Sequence, residues 1–172
     1  MADVYIEHTY NCSEDTFWNQ VFFDEEYNRR LFREALGFPH WAIKKQDDQG
    51  DRIERVVEVT PKVGELPGPI KKIIGDSVSY REEGVYDKKS RRYRIKIVPS
   101  KLADKLTIEG ELYLEPVGDH CKRIFKAQVT AKIFGLGGIV EKRLIADMEQ
   151  SYAIGARFTN QFIAEKGLSA GP

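Results

Sequence analysis

The sequence predicts an α+β fold in which a curved antiparallel sheet of about seven strands wraps a long C-terminal helix. Three observations lead to this prediction. The chain opens with a β-branched and aromatic segment, apolar residues then recur at every second position from residue 40 to 133, and the last 35 residues follow a helical period. Two short helices are expected after the first strand. The predicted order is therefore one strand, two helices, six strands and one helix.

The N-terminal region supplies the first strand and both short helices. Val4–Tyr10 is rich in β-branched and aromatic residues, which favour a strand. Ser13 can cap a first helix, because its hydroxyl oxygen can accept a hydrogen bond from a free backbone N–H. A second helix is predicted over 24–36, ended by Gly37 and Pro39.

Six strands are predicted between residues 40 and 133. Their connections are short and rich in Asp, Gly, Pro and Ser, which favours hairpins and an antiparallel sheet. Where apolar and charged residues alternate, one face of the sheet is apolar and the other is charged and exposed to solvent. The predicted strands span residues 40–47, 52–62, 77–88, 91–99, 105–116 and 120–133.

The C-terminal segment predicts one long amphipathic helix. At 100° per residue the apolar residues from Ile139 to Phe162 fall mostly on one arc, and about 28 residues give a length of roughly 40 Å. The centre of this arc holds Met148, Gly155 and Thr159, small or adaptable residues where a solid core would hold Leu or Phe. This composition favours a cavity between helix and sheet. The alternative is a closely packed interface in which small residues let a strand approach.

Composition limits the domain organisation and the partners. The 172 residues suit a single domain over 1–167 with a flexible tail over 168–172. With 27 basic and 27 acidic residues the net charge is zero, so we expect no nucleic-acid partner. Two cysteines and three dispersed histidines predict neither a metal site nor a cofactor. Without an apolar run of ~18 residues or a visible signal peptide, we expect a cytoplasmic protein or one peripheral to an intracellular membrane.

Four segments give the chain a resemblance to a known superfamily. They are Phe23–Tyr27, Leu66–Asp76, Glu115–Asp119 and Lys132–Glu141. The chain resembles the helix-grip fold of the START and Bet v 1-like (SRPBCC) superfamily over nearly its whole length, and most of all an uncharacterised branch filed as a domain of unknown function. The resemblance implies binding, and intracellular transport, of a lipid, sterol, polyketide or similar apolar ligand. Because function depends on the site rather than the fold, it does not identify the ligand.

The predicted cavity gives a set of candidate ligand contacts. These residues face inward on the predicted strands or on the inner arc of the helix, and burial of an apolar tail against them supplies ~25 cal/mol per Å². The candidates are Tyr80, Tyr93, Phe125, Met148, Tyr152, Gly155 and Thr159.

Residues 66–76 form a candidate gate over the cavity. Pro67 and Pro69 stiffen its start, and Lys71 and Lys72 can face lipid phosphates in a transient membrane contact, each worth ~1 kcal/mol near an anionic surface. The alternative is a short helix that permanently plugs the open end of the sheet, with solvated lysines. The apolar edge of the gate consists of Leu66, Ile70, Ile73 and Ile74.

Three charged residues fall in phase with the apolar face. Arg55, Glu82 and Arg123 would need partners there, because an unpaired buried charge is costly. One possibility is that the two arginines hold a ligand headgroup, or that the three charged residues pair with one another. The other is that a bulge or a strand end exposes them to water. Glu82, beside Tyr80 or Tyr86, is also the weak catalytic candidate of a second hypothesis, a cyclase or hydrolase acting on an apolar substrate. A third hypothesis is an interaction domain with a filled core.

Overall fold

Consecutive hairpins build most of the sheet, as the alternating pattern predicts. The computed structural model describes residues 1–170, and within them seven antiparallel strands lie in the order β1-β7-β6-β5-β4-β3-β2. Strands β2 to β7 follow one another as a meander, and β1 pairs with β7, so the first strand of the chain lies beside the last. The strands are β1 (Ala2–Tyr10), β2 (His40–Asp48), β3 (Arg52–Thr60), β4 (Tyr80–Asp87), β5 (Arg92–Pro99), β6 (Leu106–Val117) and β7 (His120–Ala131).

The first short helix begins where the sequence predicts. Ser13 caps helix α1 (Glu14–Thr16), because its Oγ accepts a hydrogen bond from the backbone N–H of Thr16 at 3.2 Å. The helix continues without a break as a π-helical turn over Phe17–Phe22, in which four apolar side chains are buried. This aromatic turn closes one end of the sheet.

The second short helix is interrupted in a way that the pattern does not show. Asp24 caps α2 (Glu25–Arg29) through a hydrogen bond to the Tyr27 N–H at 2.9 Å, and the chain then widens into a π-helical turn over Arg30–Ala35. A π turn holds more residues than an α turn and rotates the following side chains. The prediction of a single regular helix over 24–36 is therefore wrong.

A short helix forms in the segment 66–76, where the sequence left open a gate or a short helix. This helix, α3, spans Gly68–Ile74 between β3 and β4, within the segment predicted as a gate. The flanking strands are shorter than predicted: β3 ends at Thr60 and β4 begins at Tyr80.

The C-terminal helix α4 spans Gly137–Glu165, 29 residues, and lies across the concave face of the sheet. Its predicted inner face is confirmed at most positions, but Ile139 is half exposed. Glu141, which breaks the apolar arc, is buried instead. Its Oε1 accepts hydrogen bonds from the Ala131 N–H at 3.0 Å and from the N-terminal ammonium at 2.9 Å. These two contacts, in that order, lower the pKa of Glu141. None of the helices within residues 1–170 is both long and apolar enough to cross a membrane.

Glycines permit the sharp bend of the sheet. Gly84 on β4 and Gly110 on β6 both pair with Ile95 on β5, so they lie in one row across the strands. A Cβ atom at Gly84 would overlap the ring and hydroxyl of Tyr93, and one at Gly110 would overlap the backbone carbonyl of Lys126. Close approach at these two points requires residues without side chains.

Strand β2 forms one edge of the sheet and is irregular. A bulge between Ile43 and Lys45 shifts its register against β3, leaving Lys44 unpaired in the ladder. Lys44, Lys45, Asp47 and Asp48 are all exposed along this edge.

The predicted tail is described in part. Leu168 is half-buried against the main core, and the Ala170 N–H donates a hydrogen bond to the Asn11 carbonyl at 3.0 Å. The last two residues of the predicted tail, 171–172, lie outside the described part of the chain.

Candidate functional site

A cavity of about 320 Å³ lies between the concave face of the sheet and helix α4. Most of its wall is apolar, and its aromatic side chains come from the strands, from α4 and from the segment between α2 and β2 as well as α2 itself. Its volume is at the lower end of the range usual for small-molecule sites. Six of the seven predicted contact residues line this cavity: Tyr80, Phe125, Met148, Tyr152, Gly155 and Thr159.

Tyr93, the seventh candidate, lies behind the wall. Its ring is fully buried and packs edge-on against Phe22 at 4.9 Å between centroids. Its hydroxyl forms hydrogen bonds with the side chains of Arg55 and Glu82. Sequence alternation places Tyr93 on the correct face of β5, but only the tertiary structure shows that the aromatic turn after α1 separates it from the cavity.

The four predicted gate residues all line the mouth of the cavity. Ile70 is buried in a small cluster with Ala131 and Val140, whereas the side chain of Ile73 is half exposed. Leu66 and Ile74 pack against this cluster.

Two basic side chains hold the gate segment at its ends. Lys101 Nζ donates a hydrogen bond to the carbonyl of Ile74 at 2.8 Å, and Arg143 Nη1 donates one to the carbonyl of Glu65 at 3.0 Å. Lys71 and Lys72 do not line the cavity and are exposed. Lys71 forms an exposed ion pair with Asp76, N···O 3.1 Å, which contributes little to stability.

Arg55 is buried and lies in a polar network rather than on the cavity wall. Its Nε donates to the Tyr93 hydroxyl at 3.1 Å, and its Nη2 lies 3.7 Å from the Glu82 carboxylate. The Tyr93 hydroxyl in turn donates to Glu82 at 3.3 Å. The guanidinium also lies over the rings of Phe22 and Phe23, 4.7 and 5.7 Å from their centroids. Of the alternatives that the sequence leaves open, Arg55 and Glu82 show the one in which the charged residues pair with one another.

Asn28 completes this network and was missed by the sequence analysis. Its Oδ1 accepts a hydrogen bond from Arg55 Nη1 at 3.3 Å, and its Nδ2 donates to the carbonyls of Phe22 and Asp24 at 2.8 and 2.7 Å. A polar residue within a short charged helix gives no sign of burial. Only the register of α2 against β3 brings Asn28 to Arg55.

Arg123 lines the cavity and is also buried. Its Nη2 lies 2.7 Å from Nδ1 of His8, directly across the β1–β7 ladder, and its guanidinium lies over the Tyr152 and Tyr10 rings at 4.5 and 5.3 Å. Within residues 1–170 its Nε has no hydrogen-bond partner. Burial first, and then the positive charge of Arg123, lower the pKa of His8. His8 is thus neutral near pH 7 and accepts the Arg123 N–H.

Glu82 is the acidic residue that the sequence analysis singles out, and it lines the cavity. Its carboxylate is held by the Arg55 guanidinium and the Tyr93 hydroxyl. Burial, and secondarily the Glu82 charge, raise the pKa of Tyr80, so that hydroxyl stays protonated and can donate. Among the described residues 1–170, no group of three or more His, Cys, Asp or Glu side chains is placed to hold a metal ion.

A hydroxyl pair marks the inner end of the cavity. The Tyr27 hydroxyl donates to Thr159 Oγ1 at 2.7 Å, and Thr159 donates to the Gly155 carbonyl at 2.7 Å. Both groups are therefore satisfied within the protein. Gly155 itself has space in front of it: a Cβ atom there would meet only Leu31, at an ordinary 3.5 Å.

The outer face of the sheet carries a larger, open depression of about 1030 Å³. Charged side chains of both signs line it together with apolar ones; the charged residues include Glu83, Arg94, Lys96 and Glu109. An apolar molecule would remain largely in water there. The inner cavity is more enclosed than this depression and is therefore the candidate site for an apolar ligand.

Several solved structures share this fold. The protein TTHA0849 from Thermus thermophilus aligns with a TM-score of 0.65 at 13% identity, over 96% of this chain and 99% of that one. A START superfamily protein from Mycobacterium smegmatis aligns at 0.60 and 15%, over 95% and 97%. Norcoclaurine synthase from Thalictrum flavum, in complex with dopamine and hydroxybenzaldehyde, aligns at 0.63 and 16%, over 95% and 87%. This chain therefore has the helix-grip fold of the START and Bet v 1-like superfamily.

Sequence comparison identifies the family. Residues 5–163 match the family model described as "Protein of unknown function (DUF2505)". The chain belongs to this family. No curated protein matches it in sequence.

Proposed function

We propose that the protein binds a hydrophobic small molecule in the cavity between the sheet and α4 and carries it within the cell. The observation that carries this proposal is the mainly apolar cavity of about 320 Å³ that the sheet and the helix leave between them. Transfer of an aliphatic tail into such a space gains about 0.8 kcal/mol per CH₂ group. A START superfamily protein shares this fold, and so does a synthase whose structure was solved with dopamine and hydroxybenzaldehyde, which supports binding of a small molecule.

The test is extraction of the purified protein with organic solvent, combined with native mass spectrometry. The wild type is expected to yield a bound lipid-like molecule in a defined ratio. Gly155→Leu places a branched side chain in the cavity and is expected to abolish this yield. Ala164→Leu adds the same side chain to an exposed position of the same helix and serves as the matched control.

Two results would contradict the proposal. One is that the wild type releases no apolar molecule and takes up none when a fluorescent fatty-acid analogue is added. The other is that Gly155→Leu takes up as much of the analogue as Ala164→Leu does. Circular dichroism of both variants establishes that each is folded before the comparison is made.

We further propose that the mouth of the cavity contacts an intracellular membrane during loading. Phe134 is fully exposed and Ile139 half exposed at the start of α4, next to the cluster that contains Ile70. Exposed aromatic residues favour the membrane–water interface, and nearby lysines are attracted to anionic lipids. Lys71 and Lys72 on α3 supply that charge.

Vesicle sedimentation tests this contact. Binding to vesicles with anionic lipid is expected to exceed binding to neutral vesicles, and to fall when Phe134→Ser is combined with Lys71→Glu. Lys96→Glu on the outer face of the sheet is the control for loss of positive charge. Equal sedimentation of all three proteins would contradict the membrane role, while the ligand-binding proposal would stand.

An enzyme is the second candidate, and one observation favours it. Glu82 brings a carboxylate to the cavity wall, where it could act as an acid or base toward a bound substrate. If so, Glu82→Gln abolishes turnover of a polyketide-like substrate and leaves its binding intact. Retained turnover in that variant would remove Glu82 from the mechanism.

A further inference from the structure

The cavity wall is not balanced in charge. Two of its side chains are carboxylates, and each has an arginine partner: Glu82 lies 3.7 Å from Arg55, and Asp147 lies 3.2 Å from Arg143. Arg123 differs from both of these arginines, and it is buried, unlike Lys62 and Lys101, the other two basic residues of the wall. Within residues 1–170 it forms no ion pair with an acidic side chain, and its one polar side-chain contact is with neutral His8.

Arg123 is also incompletely hydrogen-bonded. Its residue surface is 5% exposed, and its Nε finds no partner in the described part of the chain. A buried cation without a counter-charge is strongly unfavourable, and an unsatisfied buried N–H adds to that cost. Such a group in a cavity wall is the arrangement expected where a ligand supplies the missing negative charge.

The neighbours of Arg123 fix its orientation. Its guanidinium lies over the rings of Tyr152 and Tyr10, and Tyr152 stacks on Phe125 with centroids 4.8 Å apart. Both Tyr152 and Phe125 line the cavity. The charged group therefore sits at the edge of an aromatic wall along which an aliphatic tail can lie.

From this geometry we propose that the ligand of the cavity is an aliphatic carboxylic acid, bound as its anion, with the carboxylate paired to Arg123. This inference rests on the proposed function and specifies the ligand of that site. At ~30 Å³ for each water-sized unit, 320 Å³ accommodates about ten non-hydrogen atoms. Octanoate has that size. Its tail would run along Tyr152 and Phe125 toward the mouth at Ile70.

A series of eight-carbon probes tests the charge preference by isothermal titration calorimetry. Octanoate, 1-octanol and octylammonium share one tail and differ in the headgroup, and acetate supplies the headgroup alone. The wild type is expected to bind octanoate on the order of ten- to hundredfold more tightly than octanol, since hydrogen bonds to charged groups are the stronger ones. Octylammonium should bind more weakly than octanol, and acetate should not bind measurably.

Arg123→Met removes the charge and keeps most of the volume. It is expected to bind octanoate no more tightly than octanol, with octanol affinity retained. Arg94→Met, on the exposed outer face of the sheet, is the matched control and should keep the full preference. If Arg123→Met does not fold, the charge preference is tested on the wild type with octanoate labelled with carbon-13 at its carboxyl group. Carbon-13 NMR should then show that the bound acid is ionised at a pH where the free acid is half protonated.

The outcomes separate this inference from the function on which it rests. Equal affinity of the wild type for octanoate and octanol would overturn the anion preference and leave binding of apolar molecules standing. A preference that persists in Arg123→Met, or a bound carboxyl that protonates more readily than the free acid, would also overturn it. Failure of both octanoate and octanol to bind would instead refute the proposed function for ligands that fit the cavity.

Discussion

Gly84 is a position at which one added methyl group should be strongly destabilising. Its Cβ would overlap the Tyr93 ring and hydroxyl, so Gly84→Ala forces Tyr93 to move. Overpacking of a core costs about 1–3 kcal/mol. The displaced hydroxyl also loses its contacts with Arg55 and Glu82, and hydrogen bonds to charged groups are worth about 1.5–3 kcal/mol each. Because the shift need not break both bonds fully, a destabilisation of about 3–6 kcal/mol is expected.

Urea and thermal unfolding, both followed by circular dichroism, measure this loss. At about 2–4 °C per kcal/mol for a chain of this size, the melting temperature should fall by at least ~6 °C. Gly138→Ala is the control, because a Cβ there meets nothing within 4 Å and α4 gains helix propensity. Tyr93→Leu should cost less in the Gly84→Ala background than in the wild type. A Gly84→Ala protein within about 1 kcal/mol of the wild type would refute the overlap argument.

Three further predictions concern the cavity and its charged groups. Gly155→Ala should raise stability by up to about 1 kcal/mol in thermal unfolding, since helix propensity improves without a clash, while ligand capacity shrinks. In a double-mutant cycle, Arg55→Met with Glu82→Gln should be destabilised by about 0.5–3 kcal/mol less than the sum of the single variants; strict additivity would show no coupling. The pKa of His8 is lowered, so its stabilising contribution is complete above pH 6.5 and is lost as pH falls from there through the folded-state pKa. Unfolding measured across that window should show a smaller pH-dependent loss in His8→Gln than in the wild type.

Patterns among residues close in sequence were sufficient to predict most of the fold. The period of two and the turn residues between strands predict the meander, and the arc from Val140 to Phe162 predicts α4, because both signals come from residues close in sequence. The π-helical turn over Arg30–Ala35 was not predictable in this way. It results from packing against β2 and α4, to which no local residue pattern points.

For the site, the sequence predicts which face of a strand or helix a residue occupies, but not which residues it contacts. Alternation correctly places Arg55, Glu82 and Arg123 on the inner face of the sheet, where burial requires partners. Which partners they find depends on the pairing of distant strands. His8 meets Arg123 because β1 pairs with β7 across 115 residues of chain, and Asn28 meets Arg55 through a helix whose register the sequence does not reveal.

The bulged edge strand β2 has a consequence for how the molecules behave at high concentration. An edge of regular, apolar β-structure would allow a second molecule to add its own strand and begin a polymer. At β2 the misaligned ladder beside Lys44 and the charges of Lys45 and Asp47 oppose such growth. The molecules can therefore remain dispersed at high concentration although β2 leaves one edge of the sheet unpaired.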